Sequence, residues 1–324
     1  MWIIAIIAML CWSGSDIFSK VGSKQHDKLS HYKVGIAVGL IMGIHAMYEI
    51  IFGDVPLSFS DIVNYLPASA FYIISMIVGY VGLRYIELSI SSPICNGSGA
   101  VTAIMCMLVY GVSFDPNYDG NGVFLNGPII AGIVLIVIGI VALGFIENFE
   151  DEELRLKRQQ ASNRKYAKSF WAIFLPVLYC ILDSCGTFVD TLIADKYVAK
   201  YELTMSADTA ELLAGDVLNT AYELTWFAIA IIFAIYVFGI KRNRISVKSD
   251  GTKLLGGICE TVGQVFYMMV IVAGYVPGYV IISAYCIFSA IWSTIFLKER
   301  LSYKHYIAIF LAIIGILILG FYDV

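Results

Sequence analysis

Apolar residues in this chain come in long unbroken runs, and that feature narrows the fold more than any other. Ten runs of about 20 residues can be marked, at 2–22, 33–53, 62–83, 88–113, 128–147, 170–193, 215–240, 253–275, 277–297 and 304–322. A helix needs about 20 apolar residues to cross roughly 30 Å of hydrocarbon. Within lipid, a helix satisfies its own backbone polar groups without water. The expected fold is therefore an all-α membrane protein of ten transmembrane helices. Of 324 residues, 59% are hydrophobic and 14% charged, against about 25% charged in soluble domains. No room remains for a separate soluble domain. The partner is the lipid bilayer, and the absence of a basic face with interleaved aromatics excludes nucleic acid.

Several chemistries drop out at once. The seven cysteines (Cys11, Cys95, Cys106, Cys180, Cys185, Cys259 and Cys286) all lie in apolar runs, with no C-x-x-C or Cys/His ligand spacing. Neither a disulfide framework nor a zinc site is expected. The four histidines (His26, His31, His45, His305) form no H-E-x-x-H pattern, and no G-x-x-x-x-G-K-[ST] occurs. No metal, no cofactor and no catalytic residue is expected, and the chain is not read as an enzyme. The first run has no basic residues before it and no A-x-A-like cleavage site, so it reads as a span and not a signal peptide.

A duplication organises the runs. Ile138-Gly139-Ile140-Val141-Ala142-Leu143-Gly144-Phe145 recurs almost letter for letter as Ile314-Gly315-Ile316-Leu317-Ile318-Leu319-Gly320-Phe321, 176 positions later. Gly79-Tyr80-Val81 is matched by Gly263-Gln264-Val265, and Pro93 and Pro277 follow near the starts of the next runs. The expected domains are a five-helix repeat at 1–147, a charged linker at 148–168 and a second five-helix repeat at 169–324. The linker is read as a solvated connection. Lys and Arg collect after odd-numbered runs: at Lys20, Lys24, Lys28 and Lys33, in the linker, at Lys241, Arg242, Arg244 and Lys248, and at Lys298, Arg300 and Lys304. By the positive-inside rule those loops are cytoplasmic, which puts both termini outside. Five spans per half then invert one half relative to the other, giving a 5+5 inverted repeat in a multi-pass protein of the cell membrane.

Three stretches carry a resemblance to a known family. Leu10-Cys11-Trp12-Ser13-Gly14-Ser15 is similar to a small-residue, Trp-containing first span. Leu297-Lys298-Glu299-Arg300-Leu301-Ser302 resembles an L-x-E-R-L-S turn, and the apolar run to Gly320 follows it in the expected place. On these the chain resembles the drug/metabolite transporter superfamily, in its EamA-like ten-span branch. The matching first-half turn, Phe114-Asp115-Pro116-Asn117, lacks the Glu-Arg pair. The resemblance implies export or uptake of a small metabolite from a central cavity lined by spans one, three, four, six, eight and nine.

Acids deep in the runs are the chief chemical signal. A charge at membrane depth costs about 2.5–3.5 kcal/mol on insertion scales and normally faces a cavity or a partner. Asp16, Glu49, Asp183, Asp190, Glu223 and Glu260 all lie inside runs, whereas no Lys or Arg lies comparably deep. Trp12, Asp16 and Lys20 step by four along one face. Asp16 has two readings, an ion pair with Lys20 or a substrate or proton site, and Trp12 two, a packed ring or a wall for a cation. Asp183 and Glu260 are the candidates for proton coupling. The substrate-binding candidates are Trp12, Asp16, Tyr80, Asn96, Asp183, Glu260, Gln264 and Tyr285. His45, Glu49 and Glu223 are read as structural.

The expected function is secondary transport of a small cationic or zwitterionic solute, such as an amino acid or amine, by alternating access. The alternatives are a flippase-like mover of a lipid-linked or amphipathic molecule, and a non-transporting membrane enzyme or assembly protein. One chain holds both halves, so a monomer suffices, and a homodimer stays open.

Overall fold

Apolar runs become helices here with few exceptions, because a helix is the cheapest way to pair backbone groups in an apolar surrounding. The computed structural model describes residues 2–24, 27–114, 123–162, 164–244, 246–272 and 276–322. His26 and the Asp115 to Asn117 part of the first-half turn lie outside those residues.

The first half comprises α1 (Trp2–Gly22), α2 (Ser30–Phe52), α3 (Phe59–Gly82), α4 (Leu88–Cys95), α5 (Ser98–Tyr110) and α6 (Gly127–Phe149). The short α7 (Glu152–Arg158) lies in the linker. The second half comprises α8 (Trp171–Glu202), α9 (Ala207–Ala234), α10 (Val247–Val272), α11 (Val276–Ser283), α12 (Tyr285–Trp292) and α13 (Tyr303–Tyr322). Polar residues mark the starts. Asn126 accepts the Ile129 N–H at 2.9 Å with Pro128 in the first turn of α6, and Ser58 and Asp61 form a capping box on α3.

Among the described residues, eight helical segments are long and apolar enough to cross a bilayer: α1, α2, α3, α4 with α5, α6, α8, α9 with its π-helical extension to Ile240, and α13. The two remaining runs fold as α10, which carries Asp250, Lys253 and Glu260, and as the interrupted α11–α12. Two boundaries differ from expectation. α8 runs on to Glu202 and α9 starts at Ala207, so Lys196 and Lys200 sit on helix and the turn between them is four residues long. Polar side chains there project past the apolar portion while the backbone ladder continues.

Packing runs between the halves. α1 lies along α10, α3 along α8, α2 along α9 and α6 along α13. Small residues set these approaches, letting backbones come close where lipid offers no hydrophobic driving force. A Cβ on Gly39 would fall 2.6 Å from the Trp226 carbonyl oxygen, one on Gly257 2.8 Å from that of Ala37, and one on Gly315 2.5 Å from that of Gly132. Gly315→Val is therefore expected to cost about 1–3 kcal/mol by overpacking, read as a lower melting temperature in detergent. An unchanged melting temperature would mean that α6 and α13 do not approach this closely.

Candidate functional site

Between the halves lies a cavity of about 810 Å³. Its walls follow helical spacing. α8 contributes Tyr179, Asp183, Thr187, Asp190, Ala194 and Val198, three or four residues apart; α3 contributes Tyr65, Tyr72, Met76 and Tyr80. All eight residues singled out from the sequence line this one space: Trp12 and Asp16 from α1, Tyr80, Asn96 at the α4–α5 break, Asp183, Glu260 and Gln264 from α10, and Tyr285 at the start of α12.

The hydrogen bonds show how each is held. Asp16 Oδ2 accepts from Ser92 at 2.7 Å and Ser289 at 2.6 Å, tying α1 to α4 and α12 at once. Asp183 is within hydrogen-bonding reach of Ser75 and Ser98, and Glu260 of Ser15. Gln264 Nε2 donates to Asn219 Oδ1 at 3.2 Å, and the Asn96 amide donates to the Ser92 carbonyl at 3.1 Å. The Trp12 ring stands 5.0 Å from that of Tyr267 and 5.7 Å from that of Tyr285. Gly263 makes room for it, since a Cβ there would meet Trp12 Cδ1 at 2.5 Å; Gly79 does the same for Tyr179, at 2.8 Å. Tyr80 is 7% exposed, and among the described residues its hydroxyl has no hydrogen-bond partner.

Lys20 does not pair with Asp16. It is fully buried, donates to the carbonyls of Leu83 and Ile86, and stands 4.5 Å from the Tyr166 ring centroid. Carbonyls beyond the last turn of α3 lack helical donors. The long ammonium stem reaches them, while serine hydroxyls satisfy the carboxylate.

The sequence reading missed part of the lining. Asp190 lies seven residues beyond Asp183, two helical turns along the same face, and the sequence does not show its partners: Tyr65 donates to Oδ1 at 2.6 Å and Tyr72 to Oδ2 at 3.3 Å. Asp195 and Glu211, both exposed, complete the acids near the turn that joins α8 to α9. Among the described residues, six carboxylates, seven tyrosines and Trp12 thus surround the space, and no Lys, Arg or His lines it. His45, Glu49 and Glu223 stand apart: His45 Nδ1 joins α2 to α9 through Glu223 at 2.8 Å, while its Nε2 meets Glu49 on the same helix at 3.4 Å.

At the other end the lining stops at Ser19, Leu83 and Leu88, above a buried ionic cluster built by the linker. The linker is not a plain solvated connection. Arg155 bonds Glu147 at 2.5 Å, and Arg158 bonds Glu87 at 2.5 Å, Glu150 at 2.8 Å and Glu147 at 3.3 Å. Burial works against the Arg158 charge, yet Glu87, Glu150 and Glu147 hold its proton more firmly than usual. Glu147, Glu150 and His305 bring ligand atoms within 4.8 Å of one another, but guanidinium groups already fill the role of a cation there. Glu299 of the L-x-E-R-L-S turn accepts the backbone N–H groups of Leu88 and Ser89 at 3.2 Å each, securing the start of α4.

No family model and no curated protein matches the chain. A solved structure described only as "Crystal structure of protein" superposes with a TM-score of 0.52 at 13% identity, covering 98% of this chain and 95% of that one. At that identity the likeness is one of fold.

Proposed function

We propose that this protein is a secondary transporter of a small organic cation, working by alternating access between two inverted five-helix halves. The ten spans would be α1, α2, α3, α4–α5 and α6, then α8, α9, α10, α11–α12 and α13. Two features favour the inverted repeat. Exchanging α1 with α8, α3 with α10, α2 with α9 and α6 with α13 turns the α1–α10 pair into the α8–α3 pair and leaves α2–α9 and α6–α13 as they are. Gly139 packs on Ala308 and Ala312, and Gly315 on Gly132 and Ile136, so the 176-residue offset of the octapeptides turns each contact into the other. Inverted-repeat transporters place their sites between the halves, where helices break; here α4–α5 breaks at Asn96-Gly97 and α11–α12 at Ala284.

The observation that carries the substrate class is a cavity lined, among the described residues, by six carboxylates and eight aromatic side chains and by no basic one. Carboxylates and ring faces both attract a cation. An amino acid's carboxylate would find no cationic side chain to pair with, so among the solutes expected from sequence the amine is preferred. Asp183 and Glu260 are the residues proposed to trade a proton for the substrate. The reading agrees with the drug/metabolite transporter resemblance, with the linker in the cytoplasm, both termini outside and the chain in the cell membrane. On this reading the linker end is the closed one, since the lining stops there at Ser19, Leu83 and Leu88, while Asp195 and Glu211 lie at the other end.

The test is uptake into proteoliposomes of a panel of amines, amino acids and nucleobases under an imposed pH gradient. Accumulation of amines and acceleration by the gradient are expected; amino acids or nucleobases in place of amines would overturn the substrate class. A second reading, a mover of amphipathic molecules between leaflets, draws on one observation: the lining continues to the apolar Ile136, Ile316 and Leu319 between α6 and α13. It predicts dye-lipid flipping in the same vesicles without amine uptake.

A further inference from the structure

Along α8 the cavity carries two acidic stations and not one. Asp183 lies in the inner part, facing the same space as Asp16 and Glu260. Asp190 lies seven residues further along the same face, about 10 Å away at the rise of an α-helix. The two stations are built differently. The inner one is held by hydroxyls of Ser92 and Ser289 on Asp16, with Ser75 and Ser98 beside Asp183. The outer one is a carboxylate gripped by two phenols, Tyr65 on Oδ1 and Tyr72 on Oδ2. Each carboxylate oxygen accepts more than one hydrogen bond, so the phenols orient Asp190 without saturating it. Among the described residues, no Lys, Arg or His comes within ion-pair distance of Asp16, Asp183, Asp190 or Glu260.

A separate observation points to a ligand. Tyr80, 7% exposed and on the wall beside the inner station, has a hydroxyl with no partner among the described residues. A buried hydroxyl left without a hydrogen bond costs about 1–3 kcal/mol. An ammonium group has three donors and no acceptor, which suits a phenol oxygen standing among carboxylates.

We infer that the cavity recognises a linear α,ω-diamine at two points, one ammonium at Asp183 with Glu260 and Tyr80, the other at Asp190 between Tyr65 and Tyr72. The intervening chain lies against the rings of the wall. Extended diamines of four to six methylenes hold their ammonium groups roughly 6–9 Å apart, and this bridges carboxylates about 10 Å apart with a charge-assisted contact at each end. This inference rests on the reading of the cavity as a cation site, and it names which cations that site prefers.

The test uses the purified full-length protein in detergent and calorimetric titration with butylamine, 1,4-diaminobutane, 1,5-diaminopentane and 1,6-diaminohexane. A diamine is expected to bind at least tenfold more tightly than butylamine. In Asp190→Asn that ratio falls to about one, and in Asp190→Glu it returns, with melting curves showing that both variants remain folded. A ratio near one in the unchanged protein, or one that survives Asp190→Asn, overturns the two-point reading while amine binding leaves the cation site standing. Binding of neither amine overturns both.

Discussion

Asp183→Asn and Glu260→Gln, made singly, are each expected to lower amine uptake into proteoliposomes at least tenfold and to abolish its acceleration by a pH gradient. Both substitutions keep shape and hydrogen-bonding capacity while removing the group that can hold a proton or a cation. A charge kept half-buried at membrane depth costs free energy that a folded chain offsets only by a partner or a function. The partners here are neutral: Ser75 and Ser98 beside Asp183, Ser15 beside Glu260. Removing the charge relieves a desolvation cost, so neither variant is expected to melt earlier than the parent. Stability and transport thus move in opposite directions, a signature that a structural carboxylate does not give. Unchanged uptake in both variants, with the gradient still effective, would remove these residues from the mechanism.

How much of this could be read in advance differs from residue to residue. Helical spacing is enough to put Trp12 with Asp16, Asp183 with Asp190, and Glu260 with Gln264, because each pair shares one face of one helix. Burial cost was enough to mark the acids. What stayed hidden depends on register between helices far apart in the chain. Nothing local to Tyr65 or Tyr72 places them 118 to 125 residues away on Asp190. Nothing in the i, i+4 step of Asp16 and Lys20 says that the lysine will instead find carbonyls more than 60 residues on. The linker failed for another reason. Its mixed charges look solvated when counted, but the chain turns between Glu150 and Glu152, so Arg155 and Arg158 fold back on Glu147 and Glu150, eight residues earlier. No helical period contains that relation.

That folded-back linker leads to the largest expected effect on conformation. Arg158→Ala should open the closed end of the protein. Arg158 touches Glu87 at the start of α4, Glu147 and Glu150 at the end of α6, and the Arg300 carbonyl in the turn before α13. Breaking a buried ion pair by removing one partner typically costs about 3–5 kcal/mol; here Glu87 would be left buried without its counter-charge, while Glu147 and Glu150 would keep Arg155. Three buried carboxylates would then share one arginine, and the structure can relieve Glu87 by admitting water between the linker and the α3–α4 turn. A cysteine placed at Ser19, on the cavity floor, reports this in a background in which the native cysteines are replaced. A membrane-impermeant thiol reagent added from the linker side should label it slowly in the parent and at least tenfold faster with Arg158→Ala. Arg158→Lys keeps a charge but loses the fork that serves several carboxylates at once, so it should fall between the two. Equal labelling in all three would show that the ionic cluster does not hold this end shut, and the alternation between two open ends would need a different lock.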